Sequence, residues 1–158
     1  MLLPGQKPLL SFEVDAVIAG KATRLPFADL LKGLTVVSVW MRNNTSTCDL
    51  QALQLGKVAP ALKKKGVHLV GVSRDSCGSH LKYADRHDLG FTLVADPKDH
   101  FSQALDAMVE KSMYGRKYTG PARAAYVLDA HGTLLAVLPK VEAATHGEQL
   151  LAALKALK

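Results

Sequence analysis

Short apolar runs alternate along the chain with stretches in which apolar residues recur at helical spacing. Residues 34–41 are nearly continuous in apolar character and rich in β-branched side chains, which is typical of a strand buried on both faces of a sheet. Residues 67–72 have the same character. Shorter or more polar strands are predicted at residues 11–17, 22–25, 91–94, 123–128 and 133–138.

Helical spacing dominates most of the segments between these strands. The first long helix, over residues 48–65, contains Gly56 and Pro60, which predict a bend or a split because proline removes a backbone donor. Asp75 or Ser76 can cap the second helix. The remaining predictions are helices from residue 75 or 76 to about 87, at 99–108 and at 147–158, a short helix at 27–31, and a loop at 109–121.

The order of these elements indicates how they pack. Strands joined through helices favour parallel pairing, and the last two strands are joined by a tight turn that favours an antiparallel hairpin. The prediction is an α/β protein with a thioredoxin-like fold, in which a central mixed β-sheet is flanked by helices on both faces. No repeat or linker interrupts the chain, so residues 1–158 are predicted to form a single thioredoxin-like domain.

Composition and charge exclude several classes of protein. Hydrophobic residues make up 48% and charged residues 22%, a balance typical of globular proteins and not of disordered ones. No apolar run has the length of about 20 residues that a membrane-spanning helix needs. The net charge is +6, but the basic residues are scattered, and the one run, at 63–65, ends a predicted helix and complements its dipole. We therefore expect no nucleic-acid partner and no membrane partner.

The cysteines and histidines give no sign of a metal centre. The two cysteines, Cys48 and Cys77, are too few for a disulfide scaffold or an all-cysteine zinc site. The six histidines are dispersed, with no carboxylate or thiol at ligand spacing, so no metal and no cofactor are expected. The N-terminus lacks a basic segment followed by an apolar stretch, which predicts a cytoplasmic protein with reduced thiols.

Cys48 occupies a position with chemical consequences, since it follows a buried strand and a polar turn and begins a predicted helix. The first backbone N–H groups of a helix lack internal partners and stabilise a thiolate, which lowers the thiol pKa. Thr45 can direct its hydroxyl to the same place, and Ser46 and Thr47 can cap the helix. With a guanidinium nearby, such a site would hold a thiolate and bind the oxygen atoms of a small peroxide.

The segment from Met41 to Cys48 resembles the P-x-x-x-T-x-x-C motif of the peroxiredoxins, the AhpC/TSA family. Thr45 and Cys48 match that motif in identity and spacing, and Met41 stands where the family has proline. Residues 70–80 and 111–120 resemble two segments of the bacterioferritin-comigratory, or PrxQ, branch: the strand-to-helix connection and the loop before the catalytic strand. The likeness covers most of the chain and is weak only near its N-terminus.

The resemblance implies a thiol-dependent peroxidase that reduces hydrogen peroxide and small alkyl hydroperoxides. Cys48 would attack the peroxide and become a sulfenic acid, and Thr45 would orient the substrate. Arg123 stands where the family has its active-site arginine, which stabilises the thiolate and the leaving oxygen. Gln51 occupies a position where members carry Glu or Gln, and it could hold Arg123 by a hydrogen bond. Met41 can still shield the thiolate but does not fix φ.

The resemblance leaves the recycling step open. Members of the branch carry a resolving cysteine where this chain has Leu53, or in the next helix where it has Ala84. Cys77, at the start of that next helix, is an atypical candidate for the resolving cysteine, and the first turn after Cys48 would have to unwind before the two could meet. Without that disulfide, an external thiol would resolve the sulfenic acid.

The implied partners depend on which route operates. Thioredoxin is the expected reductant if a disulfide forms, and glutathione or glutaredoxin otherwise. A monomer is expected, because proteins of this branch are frequently monomers. The alternative hypothesis is a thioredoxin-fold redox sensor or binding protein with lost or weak peroxidase turnover, which Met41 in place of the motif proline favours.

Overall fold

The computed structural model describes residues 1–87, 89–113 and 115–157. Its strands are β1 Glu13–Ile18, β2 Lys21–Pro26, β3 Thr35–Val39, β4 His68–Ser73, β5 Thr92–Ala95, β6 Met108–Met113, β7 Arg116–Pro121, β8 Ala125–Leu128 and β9 Leu134–Leu138. Its α-helices are α1 Ser46–Lys64, α2 Cys77–His87, α3 His100–Ala104 and α4 His146–Ala156, with 3₁₀ turns at Phe27–Leu30 and Ala143–Thr145.

Seven strands form one mixed sheet in the order β2-β1-β5-β4-β3-β8-β9. The central strands β3, β4 and β5 are parallel, because α1 and α2 carry the chain back between them, and the outer pairs are antiparallel. The predicted mixed sheet and its C-terminal hairpin of β8 and β9 are therefore confirmed.

Both faces of the sheet are covered, as the alternation of side chains along the strands requires. All five residues of β3 are buried, which accounts for its nearly continuous apolar sequence. One face packs against α1, α2 and α4, and its core includes Val36, Leu69, Leu93, Leu55, Leu62, Tyr83 and Leu150. The other face packs against the first 3₁₀ turn and α3, and its core includes Val37, Val70, Val94, Phe27, Phe101 and Leu105.

Gly71 in β4 makes room for Trp40, the residue that follows β3. A Cβ atom at Gly71 would lie 2.3 Å from Cη2 of Trp40, so only glycine leaves room for the indole ring against the strand. Trp40 is fully buried, and its backbone N–H bonds to the Val72 carbonyl at 3.0 Å. The glycine thereby lets the first residue after β3 pack against the sheet.

The segment predicted as a loop at 109–121 is instead a hairpin of β6 and β7, separate from the main sheet. Its first four β7 residues, Arg116–Thr119, are all exposed, so no alternation of apolar and polar residues marks the strand. The predicted helix at 99–108 is also too long, because α3 stops at Ala104. Asp106 takes a left-handed φ of 53°, which turns the chain out of the helix and into β6.

The expected split of the first long helix does not occur, since α1 is continuous from Ser46 to Lys64. Pro60 lies on its exposed side, where water can bond to the carbonyl that the proline leaves without a donor. The C-terminal helix α4 begins at His146, and its predicted end at Lys158 lies outside the described residues. None of the helices in the described residues is long and apolar enough to span a bilayer.

Candidate active site

Cys48 is the third residue of α1, and its side chain is only 1% exposed. It packs in the apolar cluster between the sheet and the helices, where Trp40 and Ala52 also lie. Asn44 turns the chain toward the helix with a φ of 62°, a left-handed conformation that asparagine tolerates. The expected place of Cys48, in the first turn of a helix that follows a buried strand and a turn, is therefore confirmed, and the helix begins two residues earlier than predicted, at Ser46.

Arg123 lies beside Cys48 although the two are far apart in the sequence. Its Nη2 donates a hydrogen bond to Cys48 Sγ at 3.2 Å, and its Nη1 donates to Gln51 Oε1 at 2.8 Å. Arg123 just precedes β8, which pairs with β3, so the sheet itself brings the guanidinium to the start of α1. One planar fork thus holds the thiol and the glutamine together, a geometry that lysine could not reproduce.

The surroundings of Cys48 favour its thiolate. Burial on its own would raise the Cys48 pKa, but the neighbouring Thr45 side chain, the Arg42 backbone, and the hydrogen bond and positive charge of Arg123 lower it overall. A buried thiol without these partners would be neutral and inert. The site therefore combines a dry environment with enough donors to hold a negative charge on the sulfur.

Thr45 is the N-cap residue of α1, with an extended backbone at φ −111° and ψ 145°. Its hydroxyl donates to the Arg42 carbonyl at 3.0 Å, and its own carbonyl accepts the Asp49 N–H at 2.8 Å. The expectation that Ser46 and Thr47 cap the helix is wrong, because both lie inside the first turn. The exposed Thr45 hydroxyl is consequently free to turn from Arg42 toward a molecule approaching Cys48.

Asn43, which the sequence did not single out, holds the turn that carries Thr45. Its side chain is buried and accepts a hydrogen bond from Trp40 Nε1 at 2.9 Å. Its backbone N–H donates to Asp75 Oδ2 at 2.8 Å, and its Nδ2 lies 3.2 Å from His80 Nδ1. An asparagine in a polar turn gives no sequence signal for burial, because two of its partners, Asp75 and His80, lie just after β4 and on α2, far away in the sequence.

Lys111 is a second residue that the sequence did not mark. It extends from β6 so that its Nζ lies 2.7 Å from Met41 Sδ, and the hairpin thus covers the turn before α1. Burial lowers the Lys111 pKa, and the nearby positive charges of Arg123 and Arg74 lower it further. The contact occupies Met41, the position at which the peroxiredoxin motif has proline.

Cys77 begins α2 and is half-buried, with Ser76 Oγ accepting the Ser79 N–H at 3.1 Å as a cap. Burial raises the Cys77 pKa, and the negative charge of Asp15 raises it further. Asp15 belongs to β1, which is separated from β3 in the sheet by β5 and β4. Both cysteines are free, and Cys77 takes no part in the hydrogen bonds that join Cys48, Arg123 and Gln51.

A contact between α1 and α2 lies next to the reactive thiol. The buried Tyr83 donates from its hydroxyl to Asp49 Oδ1 at 2.5 Å, and Arg86 Nη1 donates to Asn44 Oδ1 at 3.3 Å. These bonds fix the first turn of α1 to α2. Within residues 1–87, 89–113 and 115–157, no group of three or more His, Cys, Asp or Glu side chains could hold a metal ion.

A family model described as the AhpC/TSA family matches residues 6–137. The chain belongs to the AhpC/TSA family. It is 33% identical over 121 residues to peroxiredoxin Bcp of Xanthomonas campestris, covering 77% of this chain and 76% of that protein. It is also 32% identical over 143 residues to the putative peroxiredoxin bcp of Coxiella burnetii, covering 90% and 91%. This peroxiredoxin is therefore an enzyme, and the resemblance found in the sequence is confirmed.

Solved structures of peroxiredoxins agree with this membership. The bacterioferritin comigratory protein of Xanthomonas campestris, studied for its alkyl peroxide reduction activity, superposes with a TM-score of 0.84 at 28% identity and covers 94% of each chain. The PrxQ of Xylella fastidiosa superposes with a TM-score of 0.86 at 23% identity, covering 99% of this chain and 97% of that one, which supports the fold alone. The thioredoxin-like fold predicted for this peroxiredoxin is confirmed.

Proposed function

We propose that Cys48 is the nucleophile of a thiol-dependent peroxidase that reduces hydrogen peroxide and small alkyl hydroperoxides. The observation that carries this proposal is the pair of hydrogen bonds from Arg123, one to Cys48 Sγ at 3.2 Å and one to Gln51 Oε1 at 2.8 Å. The related protein of Xanthomonas campestris has alkyl peroxide reduction activity, which supports the choice of substrate class.

The proposed reaction needs no cofactor. The Cys48 thiolate attacks the terminal oxygen of the hydroperoxide, the S–O bond forms, and the O–O bond breaks. The sulfur is oxidised to sulfenic acid, and the peroxide is reduced to water or an alcohol once the leaving oxygen has taken a proton. Arg123 stabilises the thiolate before the attack and the charge on the leaving oxygen during it. Because the pKa of Cys48 is lowered, the nucleophile is already ionised at a lower pH than an ordinary thiol.

Thr45 is proposed to orient the peroxide. Its exposed hydroxyl is close enough to lower the Cys48 pKa, and it donates a hydrogen bond to the Arg42 carbonyl. Rotation about one side-chain bond would turn the hydroxyl toward a peroxide oxygen. Gln51 then has a supporting function, since it holds one arm of the Arg123 guanidinium while the other arm faces the reacting sulfur.

Recycling can follow two routes. In the first, Cys77 attacks the Cys48 sulfenic acid, water leaves, and thioredoxin reduces the resulting disulfide. In the second, an external thiol such as glutathione, or glutaredoxin with it, resolves the sulfenic acid directly. The raised pKa of Cys77 and the bonds that hold the first turn of α1 favour the second route.

We further propose that the chain acts as a single-domain monomer in the cytoplasm.

Stopped-flow mixing with hydrogen peroxide tests the proposal. We expect a second-order rate constant far above that of free cysteine, and trapping with dimedone should label the peptide that contains Cys48. Mass spectrometry under non-reducing conditions, after one equivalent of peroxide, decides between the routes by the presence or absence of a Cys48–Cys77 disulfide. A rate constant near that of free cysteine would contradict peroxidase turnover and favour a redox sensor.

A further inference from the structure

Behind Gln51, a line of buried polar side chains leads from the reactive thiol to the C-terminal helix. Gln51 Nε2 donates to Ser38 Oγ at 2.8 Å, and Ser38 Oγ lies 2.8 Å from His146 Nε2. On its other side, His146 Nδ1 lies 3.2 Å from Gln149 Oε1. Gln51, Ser38 and His146 are all fully buried, and they come from α1, β3 and α4 respectively.

Backbone groups at both ends fix the direction of these bonds. Gln51 Nε2 also donates to the Val39 carbonyl at 3.1 Å, so its Oε1 must face Arg123. Gln149 Oε1 accepts the Glu142 N–H at 3.0 Å, so it must accept from His146 as well. His146 therefore carries its proton on Nδ1 and leaves Nε2 as an acceptor. The Ser38 hydroxyl must donate to Nε2, which leaves its lone pairs for Gln51.

We propose that His146 is a positioning residue, which holds Arg123 against Cys48 by fixing the hydrogen-bond direction of Ser38 and Gln51. This inference rests on the proposed function, because it concerns the arginine that serves the reactive thiol. If Nε2 did not accept, the Ser38 hydroxyl could turn its hydrogen toward Gln51. The amide would then have the Val39 carbonyl as its one remaining acceptor, and a flip that presents its NH₂ group to the guanidinium, where two donors would oppose each other, would become less costly.

The approach of α4 to α1 is built for this contact. Gly147 follows His146, and a Cβ atom there would lie 2.8 Å from Val58 Cγ1 and 3.2 Å from the Gln54 carbonyl oxygen, both on α1. The glycine therefore lets the first turn of α4 come close enough for the imidazole to enter the space between α1 and the sheet. If His146 only filled space, an apolar side chain would pack equally well in this buried position.

The protonation state of His146 suits the proposed function. Burial lowers its pKa to about 4, the positive charge of Arg123 lowers it as well, and the hydrogen bond with Gln149 has a smaller opposing effect than burial. The imidazole is consequently neutral at neutral pH, and Nε2 keeps its lone pair. Each donor and acceptor in the hydrogen bonds from Gln149 to Gln51 therefore keeps its role at neutral pH, where the thiolate reacts.

Substitutions that keep or remove the acceptor test the proposal. His146→Gln keeps an oxygen that can accept from Ser38, whereas His146→Leu keeps only the bulk. Leu150→Ala is the matched control, because Leu150 is fully buried on the same helix and its apolar side chain takes no part in these hydrogen bonds. Gln149→Leu, at the half-buried outer end, removes the partner of Nδ1 with little risk to folding. The readouts are the peroxide rate constant, the pH profile of Cys48 alkylation followed by peptide mass spectrometry, and the melting temperature.

We expect His146→Leu to raise the Cys48 pKa and to lower the rate constant about tenfold, which is less than the roughly 10²-fold that a misplacement of 1 Å can cost. Gln149→Leu should raise the Cys48 pKa and lower the rate constant by smaller amounts than His146→Leu. His146→Gln should keep the Cys48 pKa and the rate constant near their wild-type values. Leu150→Ala should lower the melting temperature without moving the alkylation profile. The proposal is overturned if His146→Leu and Gln149→Leu leave the profile unchanged, if His146→Gln behaves as His146→Leu, or if Leu150→Ala moves the profile equally. Alkylation needs no peroxide, so these outcomes stand apart from any failure of the peroxidase assay.

Discussion

The two cysteines occupy similar places in the fold and have opposite chemical properties. Cys48 and Cys77 lie in the first turns of α1 and α2, which follow the adjacent parallel strands β3 and β4 and pack on the same face of the sheet. The pKa of Cys48 is lowered, whereas the pKa of Cys77 is raised. A helix N-terminus is common to both, so it cannot account for the difference.

The difference comes from the groups that surround each sulfur. Burial raises the pKa of both thiols. Cys48 overcomes this effect because Thr45, the Arg42 backbone and the Arg123 guanidinium all favour its anion. No such donor lowers the pKa of Cys77. Besides burial, the negative charge of Asp15 raises it. A reactive thiolate in this fold therefore requires a cation brought in by another strand, in addition to a helix start.

The contacts between the two helices extend the comparison to recycling. Tyr83 and Arg86 of α2 bond to Asp49 and Asn44 around the first turn of α1, so unwinding that turn would break both bonds. Cys77 is near enough to Asp15 of β1 for that carboxylate to raise its pKa. The helix that carries the second thiol thus stabilises the conformation in which the two thiols remain apart.

The largest difference between the two sites is expected when each cysteine is replaced in turn. Cys48→Ser should reduce peroxide consumption to the rate of the uncatalysed reaction, because no thiolate then remains beside Arg123. Cys77→Ser should leave the first turnover intact, since Cys77 makes none of the Arg123 hydrogen bonds, and it should slow recycling only if the Cys48–Cys77 disulfide route operates. Single-turnover stopped flow and coupled oxidation of NADPH separate these steps. Equal losses in both variants would contradict the assignment of Cys48 as the sole nucleophile.

The second largest effect is expected from the cation. Arg123→Met should lower the rate constant for peroxide about 10²-fold, the cost of removing one donor from a charged reaction centre. It should also raise the Cys48 pKa, so that the alkylation profiles of the two thiols converge. Arg24→Met is the control, because Arg24 is an exposed arginine that bonds to Glu13 and Asp15. An unchanged Cys48 profile in Arg123→Met would show that the helix start suffices after all.

A smaller effect on the peroxide rate constant is expected when the Thr45 hydroxyl is removed. Thr45→Val should lower the rate constant about tenfold, which corresponds to the loss of one hydrogen bond to a charged group. It should also raise the Cys48 pKa, because Thr45 favours the thiolate. Thr45→Ser keeps the hydroxyl and should react nearly as the wild type. If Thr45→Ser were as slow as Thr45→Val, the methyl group and not the hydroxyl would be responsible.

The fold was largely predictable because its central strands and long helices carry strong patterns. The segment at residues 34–41 is nearly continuous in apolar character, and β3 is buried throughout. The hairpin of β6 and β7 was missed because exposed residues dominate β7 and leave no periodicity. The end of α3 was missed because it depends on the left-handed conformation of Asp106, which a sequence permits but does not reveal.

The site was predictable only as far as local order and family likeness reach. Cys48 and Thr45 are neighbours in the sequence, and Arg123 and Gln51 were found through the resemblance to the peroxiredoxins. Ser38, His146 and Asn43 went unnoticed, because their function depends on partners from distant strands and helices. Their burial is a property of the packed fold and has no counterpart in the pattern of the chain.

The smallest expected effect concerns the unreactive thiol. Asp15→Asn should lower the Cys77 pKa, because one cause of its rise, after burial, is the negative charge of Asp15. Alkylation of Cys77 near neutral pH should then become modestly faster, and Cys48 should be unaffected. Since the Asp15 side chain is half exposed, salt should screen its influence and narrow the gap between variant and wild type.

Glu13→Gln is the matched control for this change. Glu13 and Asp15 both belong to β1 and both bond to Arg24, but only Asp15 raises the Cys77 pKa. The two variants also lose the same unit of charge, so a general electrostatic effect would accelerate Cys77 equally in both. A response confined to Asp15→Asn, and reduced by salt, would show that a single carboxylate keeps the second helix start unreactive. Equal responses would instead assign its inertness to burial and to net charge.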